Sequence, residues 1–319
     1  MFNDIGGFFM KELVSIIVPC FNEQEALPIF YKAIIPILKQ LGPDYELILV
    51  DDGSKDNTAQ IMKNLAQEDE NVKYVIFSRN FGKESAMYAG LSKSKGDYVA
   101  VMDVDLQDPP EQLFEMLKTI KEEGYDCVAT RRVTRKGEPK IRSWFARQFY
   151  KLINKWSQTE VVDGARDYRL MKRSMVDAIL SMPEYNRFSK GIFSWVGFKT
   201  KWLEYENIER VAGVTKWNFK KLFVYALDGI IAFTLMPLYL IIKLGIAMMC
   251  LDFLALIVLL ILDACGYFVF HLWVIILLIV AFFTSIILIA LGISTMYQAK
   301  IYGEVKQRPI YIAKETNVK

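Results

Sequence analysis

Histidine is nearly absent: the 319-residue chain has one, His271. Histidine-based acid–base chemistry and histidine-rich metal sites are therefore excluded as its main machinery, and acids, bases and metal ligands must come mainly from Asp and Glu. Cysteine is scarce. Cys20, Cys127, Cys250 and Cys265 are too widely spaced for a zinc motif or a disulfide framework, which points to a reducing compartment. The net charge of +3 is too small to argue for nucleic acid. No G-x-G-x-x-G and no Walker A run occurs, so dinucleotide and P-loop readings lack their phosphate cradles. The opening MFNDIGGFFMKEL lacks the positive n-region and long apolar core of a signal peptide, so residues 1–12 read as a short leader.

What is present is unevenly spread. Apolar residues make up 53% of the chain and charged residues 24%. Charge dominates as far as about Lys221, and apolar residues dominate from there to about Met296. In the first part, Val14–Val18, Glu46–Val50, Val72–Phe77, Tyr98–Met102 and Asp126–Thr130 are short apolar runs of the kind that form buried strands. Helical patterns fill the gaps over Glu25–Leu41, Asn57–Glu68, Lys83–Ser94 and Pro110–Glu123. Asp108 reads as the N-cap of the last, with Pro109 and Pro110 in its first turn and Gly124 as its stop. The alternation predicts an α/β domain on a parallel sheet. Ligands of such sheets bind beyond the carboxyl ends of the strands. Asp51-Asp52 and Asp103-Val104-Asp105 both fall there.

Further on, Ile141–Trp156 and Asn218–Ile231 read as basic, aromatic, amphipathic helices, the second close enough to a membrane segment to be interfacial. Leu244–Leu262 carries one charge, Asp252, and Leu272–Met296 carries none. Each is long enough to span ~30 Å of hydrocarbon. Asp252 inside a span should face protein rather than lipid. The linker Asp263–His271 has no Lys or Arg. One flank of the pair holds Lys216, Lys220, Lys221 and Lys243, and the other Lys300, Lys306 and Arg308. That bias puts both flanks, and hence the large N-terminal domain and both termini, in the cytoplasm. The expected units are an α/β domain over 13–217, a juxtamembrane segment over 218–243, a two-helix hairpin over 244–297 and a tail over 298–319.

A D-x-D tripeptide is weak evidence alone, but at a strand end it suits a divalent cation, which prefers carboxylate oxygen. Such an ion would neutralise charge on a departing nucleoside diphosphate. The run Arg131, Arg132, Arg135, Lys136, Lys140, Arg142 holds one acidic residue, Glu138. Arginine suits bidentate phosphate contact, so this stretch is expected to meet phosphate groups or anionic headgroups.

Taken together, Val18-Pro19-Cys20-Phe21-Asn22-Glu23, Val50-Asp51-Asp52-Gly53-Ser54-Lys55-Asp56 and Asp103-Val104-Asp105-Leu106-Gln107-Asp108-Pro109-Pro110-Glu111 resemble family 2 glycosyltransferases of GT-A fold. The extension after Asp105 narrows the resemblance to polyprenyl-phosphate glycosyltransferases. Asp167-Tyr168-Arg169-Leu170-Met171, Gly191–Phe198 and Gly213-Val214-Thr215-Lys216-Trp217 point the same way. The two apolar spans and Gly303–Tyr311 look like the bactoprenol glucosyltransferase branch, and the resemblance covers nearly the whole chain from Leu13.

The resemblance implies a Rossmann-like nucleotide-sugar domain followed by interfacial helices and two transmembrane helices. It implies Pro19, Glu23 and Asp51 at the nucleoside, with Arg79 and Lys83 near the nucleotide. Asp103 would face the ribose or donor sugar, Asp105 would hold Mg²⁺ or Mn²⁺, and Asp167 would be the catalytic aspartate. Asp167 could instead pair structurally with Arg169 or Arg166, and Arg166 has Asp163 or Asp167 within reach. Arg131, Arg132, Arg142, Arg169 and Lys216 are the candidates for the acceptor phosphate. A phosphate monoester has a second pKa near ~6 and is already a nucleophile at neutral pH. Asp167 is therefore expected to orient the acceptor or stabilise a cationic sugar as much as to take a proton. The implied partners are a nucleotide diphosphate sugar (UDP-linked by analogy with bacterial relatives), a polyprenyl phosphate, the membrane and further copies of the chain. The alternatives are a processive polysaccharide synthase, whose Q-x-x-R-W motif and extra spans are missing, and a non-catalytic nucleotide-sugar-binding scaffold.

Overall fold

The computed structural model describes residues 12–132, 151, 154–155, 162, 164–205, 229–266 and 272–318. Five strands and four helices alternate first: β1 (Leu13–Cys20), α1 (Ala26–Gln40), β2 (Asp44–Asp51), α2 (Thr58–Glu68), β3 (Val72–Phe77), α3 (Lys83–Lys93), β4 (Tyr98–Val101), α4 (Gln112–Glu123) and β5 (Cys127–Arg132). Each matches its expected position to within two residues at either end. There follow β6 (Ala165–Lys172), α5 (Arg173–Leu180), α6 (Ser189–Trp195) and β7 (Thr200–Tyr205). Two long helices, α7 (Met236–Ala264) and α8 (Leu272–Val305), and a last strand β8 (Ala313–Thr316) complete the chain.

The eight strands form one sheet in the order β7-β5-β6-β4-β1-β2-β3-β8. β1 pairs in parallel with β2 and β4, and β2 with β3, as the alternation predicts. The sheet as a whole is mixed, which corrects the parallel expectation: β6 runs antiparallel between β4 and β5, and β8 runs antiparallel along β3. An antiparallel neighbour needs no crossover helix, so strand–helix alternation carries no signal for it.

Side chains alternate across the strands and build two apolar layers. Val14, Ile16, Val18, Leu47 and Leu49 pack with Leu27, Phe30, Ile34, Met62 and Met116 of α1, α2 and α4. On the opposite face Ile17, Val99 and Val101 meet Met87 and Leu91 of α3 and Met175 and Val176 of α5. The α3 backbone comes so close to β1 that a Cβ on Gly90 would lie 2.1 Å from Ile17 Cγ2. One helix start departs from expectation. α4 begins at Gln112, with Glu111 in the cap position. Asp108 does not cap it, because its carboxylate is buried against Arg166 and Tyr205. Gly124 ends the helix with φ of 69°, as expected.

Helix α7 has 29 residues and α8 has 34, against ~30 Å of hydrocarbon crossed at 1.5 Å per residue. Stretches within them, Met236–Ala255 and Phe282–Val305, are long and apolar enough to cross a membrane. α7 starts at Met236, ahead of the expected Leu244, and α8 runs on to Val305. Their large apolar side chains, among them Leu251, Phe253, Leu277 and Leu288, stay exposed. The far end of α8 is tied to the α/β domain. The Glu304 carboxylate accepts the backbone N–H groups of Tyr185 and Asn186, each at 3.0 Å.

Helix propensity alone favours alanine over glycine within α3 by ~1 kcal/mol. The contact with fully buried Ile17 should reverse that sign. Gly90→Ala is expected to lower the stability of the purified protein by about 1 kcal/mol or more in denaturant unfolding; a gain would mean that Ile17 moves aside freely.

Candidate active site

A cleft of about 570 Å³ opens at the carboxyl ends of β1, β2 and β4, and Pro19, Glu23, Asp52, Lys83, Asp103 and Asp105 are among the residues lining it. After β4 the chain enters the Asp103–Asp105 loop. Val104, between the two aspartates, is buried in the core, which anchors the loop and fixes both carboxylates. Asp105 accepts the Gln107 backbone N–H at 3.2 Å.

The antiparallel pairing of β4 and β6 sets Val101 opposite Arg169. Continued two residues past the end of β4, that register brings Asp103 opposite Asp167. Like charges so placed repel. Lys83, the first residue of α3, resolves the conflict: its ammonium lies 2.6 Å from Asp103 Oδ1 and 2.6 Å from Asp167 Oδ2. Burial opposes the Lys83 charge, but the two carboxylates outweigh it and hold the ammonium above its ordinary pKa. For Asp167 burial favours the neutral acid, yet Lys83, Lys190 and Arg169 pull the carboxyl well below its usual range. Asp167 is thus a persistent anion and a weak proton acceptor.

Asp163, one alternative for Arg166, lies outside the described residues; among those described, Arg166 pairs with Asp108 and Asp167 with Lys83. Arg166 Nε lies 3.2 Å from Asp108 Oδ1, and the Tyr205 hydroxyl donates to the same oxygen. Burial pushes the Asp108 carboxyl up, against the pull of Arg166. Arg169, expected at the acceptor phosphate, is 2% exposed. Its guanidinium stacks 3.7 Å over Phe193 and donates to the Arg166 carbonyl at 2.9 Å, so it acts on Asp167 from behind. Arg131 pairs with Glu204 across β5 and β7, and Arg132 ends β5. Arg142 and Lys216 lie outside the described residues, as do both expected amphipathic helices over most of their length.

The two aspartates at the end of β2, Asp51 and Asp52, separate. Asp51 is 1% exposed and accepts the Ser54 N–H at 3.2 Å, and it does not line the cleft. Asp52 does. Its carboxylate accepts the Asn80 amide at 2.9 Å and the backbone N–H groups of Phe81 and Gly82 at 2.6 and 3.0 Å. It therefore holds the loop that leads into Lys83. Arg79 stacks 4.1 Å over Phe81 and is not among the residues lining the cleft. Sequence reasoning missed the Asp52 anchor and Lys190. Glu84 accepts the backbone N–H and hydroxyl of Ser189, which joins the starts of α3 and α6 and carries Lys190 toward Asp167. No local pattern marks such a long-range pair.

The donor set fits a hard divalent cation. Mg²⁺ is commonly held by one or two carboxylates while substrate phosphates and water complete its shell, and Asp103 and Asp105 offer that pair at the cleft. Among the described residues no group of three or more His, Cys, Asp or Glu competes with them.

Burial raises the Asp52 carboxyl to about 6, although the Phe81 and Gly82 N–H groups pull it down. Its folded pKa lies above the ordinary 3.8, so the proton it retains stabilises the fold fully below about pH 4 and that contribution fades as pH rises through 6. The thermal midpoint of Asp52→Asn, measured against wild type from pH 4.5 to 7.5, should show this step as a difference that grows on the alkaline side. A difference independent of pH would remove the titration.

Residues 15–180 match the model of glycosyl transferase family 2. CsbB of Bacillus subtilis, named a glycosyltransferase, is 41% identical over 316 residues, covering 97% of this chain and 94% of that protein. A prophage bactoprenol glucosyl transferase homolog of Escherichia coli is 39% identical, covering 94% and 98%. The bactoprenol glucosyl transferase of Shigella phage SfV is 38% identical, covering 96% and 99%. Among solved structures, glucosyl-3-phosphoglycerate synthase from Mycobacterium tuberculosis overlaps with a TM-score of 0.46 at 19% identity, covering 69% of this chain and 78% of that one; at that distance it assigns no residue role. With its sheet, its carboxylate cleft and relatives matched over nearly their full lengths, the chain belongs to glycosyl transferase family 2 and is a glycosyltransferase.

Proposed function

We propose that the enzyme transfers a sugar from a nucleoside diphosphate donor, UDP-linked, to undecaprenyl or a similar polyprenyl phosphate, with inversion, at the cytoplasmic face of a membrane. The observation that carries the reading is the convergence of Asp103, Asp105 and Lys83 on one cleft, with Lys83 bridging Asp103 to Asp167, in a chain that continues into two apolar helices. The near full-length relatives named for bactoprenol support the acceptor class.

On this reading Pro19 and Glu23 line the nucleoside end of the cleft, with Asp51 shaping it from within the fold. Asp103 faces the donor sugar or ribose. Asp103 and Asp105 would hold Mg²⁺ or Mn²⁺, which when bound supplies charge neutralisation for the departing diphosphate. Lys83 carries a positive charge into the same region and can follow a phosphate. The acceptor phosphate is a dianion near neutral pH and needs no general base. Asp167, fixed and ionised, instead orients the attacking group and stabilises positive charge on the anomeric carbon. Lys190, which makes no ion pair among the described residues and acts on Asp167, joins Arg132, Arg142 and Lys216 as a candidate for the acceptor phosphate. A hollow of about 530 Å³ beside the start of α7, lined by Ile192, Trp195, Phe233, Leu235 and Tyr239, suits an isoprenoid chain.

The test is a transfer assay with the full-length protein in detergent, undecaprenyl phosphate, Mg²⁺ or Mn²⁺ and a panel of labelled nucleotide sugars. Label entering the lipid phase from one donor supports the reading and names the sugar; no transfer from any donor overturns it. Metal stabilisation of a leaving group is worth several kcal/mol. Asp105→Asn should therefore lose metal-dependent turnover by about a hundredfold or more while folded protein still accumulates in the membrane.

A further inference from the structure

The chain does not end at α8. It turns at Gln307 (φ 49°) and comes back along the α/β domain as β8, the edge strand beside β3. Val75 faces Thr316, Ile76 faces Glu315 and Phe77 faces Ala313. Asn317 caps the pairing, accepting the Tyr74 N–H at 2.7 Å and donating to the Val72 carbonyl at 3.2 Å. All four β8 side chains are exposed. The strand therefore adds backbone hydrogen bonds and covers an edge, but it contributes nothing to the core.

The aromatic residue just before it behaves differently. Tyr311 stacks on Phe77 with ring centroids 4.9 Å apart and planes at 20°. Phe77 in turn meets Phe81 edge-on at 5.7 Å and 89°, and Arg79 lies over Phe81. Phe81 belongs to the loop whose Asn80, Gly82 and Lys83 line the cleft. That loop is gripped from its other side. Asp52 accepts three of its donors, and Gly53 approaches so closely that a Cβ there would sit 2.4 Å from the Arg79 carbonyl carbon.

We propose that the C-terminal tail is a positioning element for the donor site. Tyr311, acting through Phe77 and Phe81, forms the outer wall that holds residues 79–83 against the Asp52–Gly53 turn. The same tail emerges from α8, whose end is pinned at Tyr185 and Asn186 by Glu304. The apolar helices and the donor loop are thus one mechanical unit. This rests on the reading of the cleft as a nucleotide-sugar site.

The experiment uses the full-length protein in detergent. Binding of UDP and GDP is measured by calorimetry, and transfer kinetics and thermal midpoints are recorded in parallel for wild type, Tyr311→Ala and Tyr311→Phe. An aromatic pair of this kind sets the scale of the effect. Tyr311→Ala should weaken nucleotide binding and raise the donor KM roughly three- to tenfold. Its kcat and acceptor KM should stay within about twofold of wild type. Tyr311→Phe, which keeps the stacked ring, should restore donor binding. Equal nucleotide binding by wild type and Tyr311→Ala overturns the inference while leaving the function intact. So does a loss shared by donor and acceptor that follows a fallen thermal midpoint. A wild type that binds neither nucleotide overturns both.

Discussion

One ammonium group between two carboxylates organises the site. The β4–β6 register leads Asp103 and Asp167 to face each other, an arrangement that two anions in a half-buried cleft resist. Lys83 makes it stable, at 2.6 Å from each. Its position depends on others in turn. It opens α3, and the loop before it hangs from Asp52. Helix α3 is pressed onto β1 through Gly90 and joined to α6 through Glu84. Disturbing any of these moves the cation that bridges the two aspartates.

That arrangement also bears on the chemistry. A catalytic aspartate is commonly pictured as a base, but a carboxylate whose charge is favoured this strongly gives up basicity. An acceptor that arrives as a phosphate dianion asks for none. The electrostatics and the proposed nucleophile therefore agree. Arg169, buried and stacked over Phe193, lends its charge to Asp167.

Much of the fold was legible because it is local. Apolar runs of strand length ending in Asp51-Asp52 or Asp103-x-Asp105, and helices closed by features such as Gly124, appear where patterning puts them. Capping and binary pattern act within a few residues, so a single chain reveals them. The failures are of another kind. Asp108 looks like a helix cap by position, yet a partner 58 residues away, Arg166, draws it into a buried ion pair. Arg169 looks like a phosphate ligand by type, yet its strand register turns it inward.

By itself the sequence determined the class of machine: carboxylates in place of histidine, acidic clusters at strand ends, and two apolar helices after an α/β domain. It determined these because composition, periodicity and motif spacing are properties of neighbouring residues. The tertiary structure alone decided which charges pair, which residue of β6 comes opposite Asp103, and that the last residues return to pair with β3. Those outcomes turn on strand register and on contacts between residues up to 252 positions apart, such as Lys63 with Glu315. A one-residue slip in register would send every side chain to the opposite face.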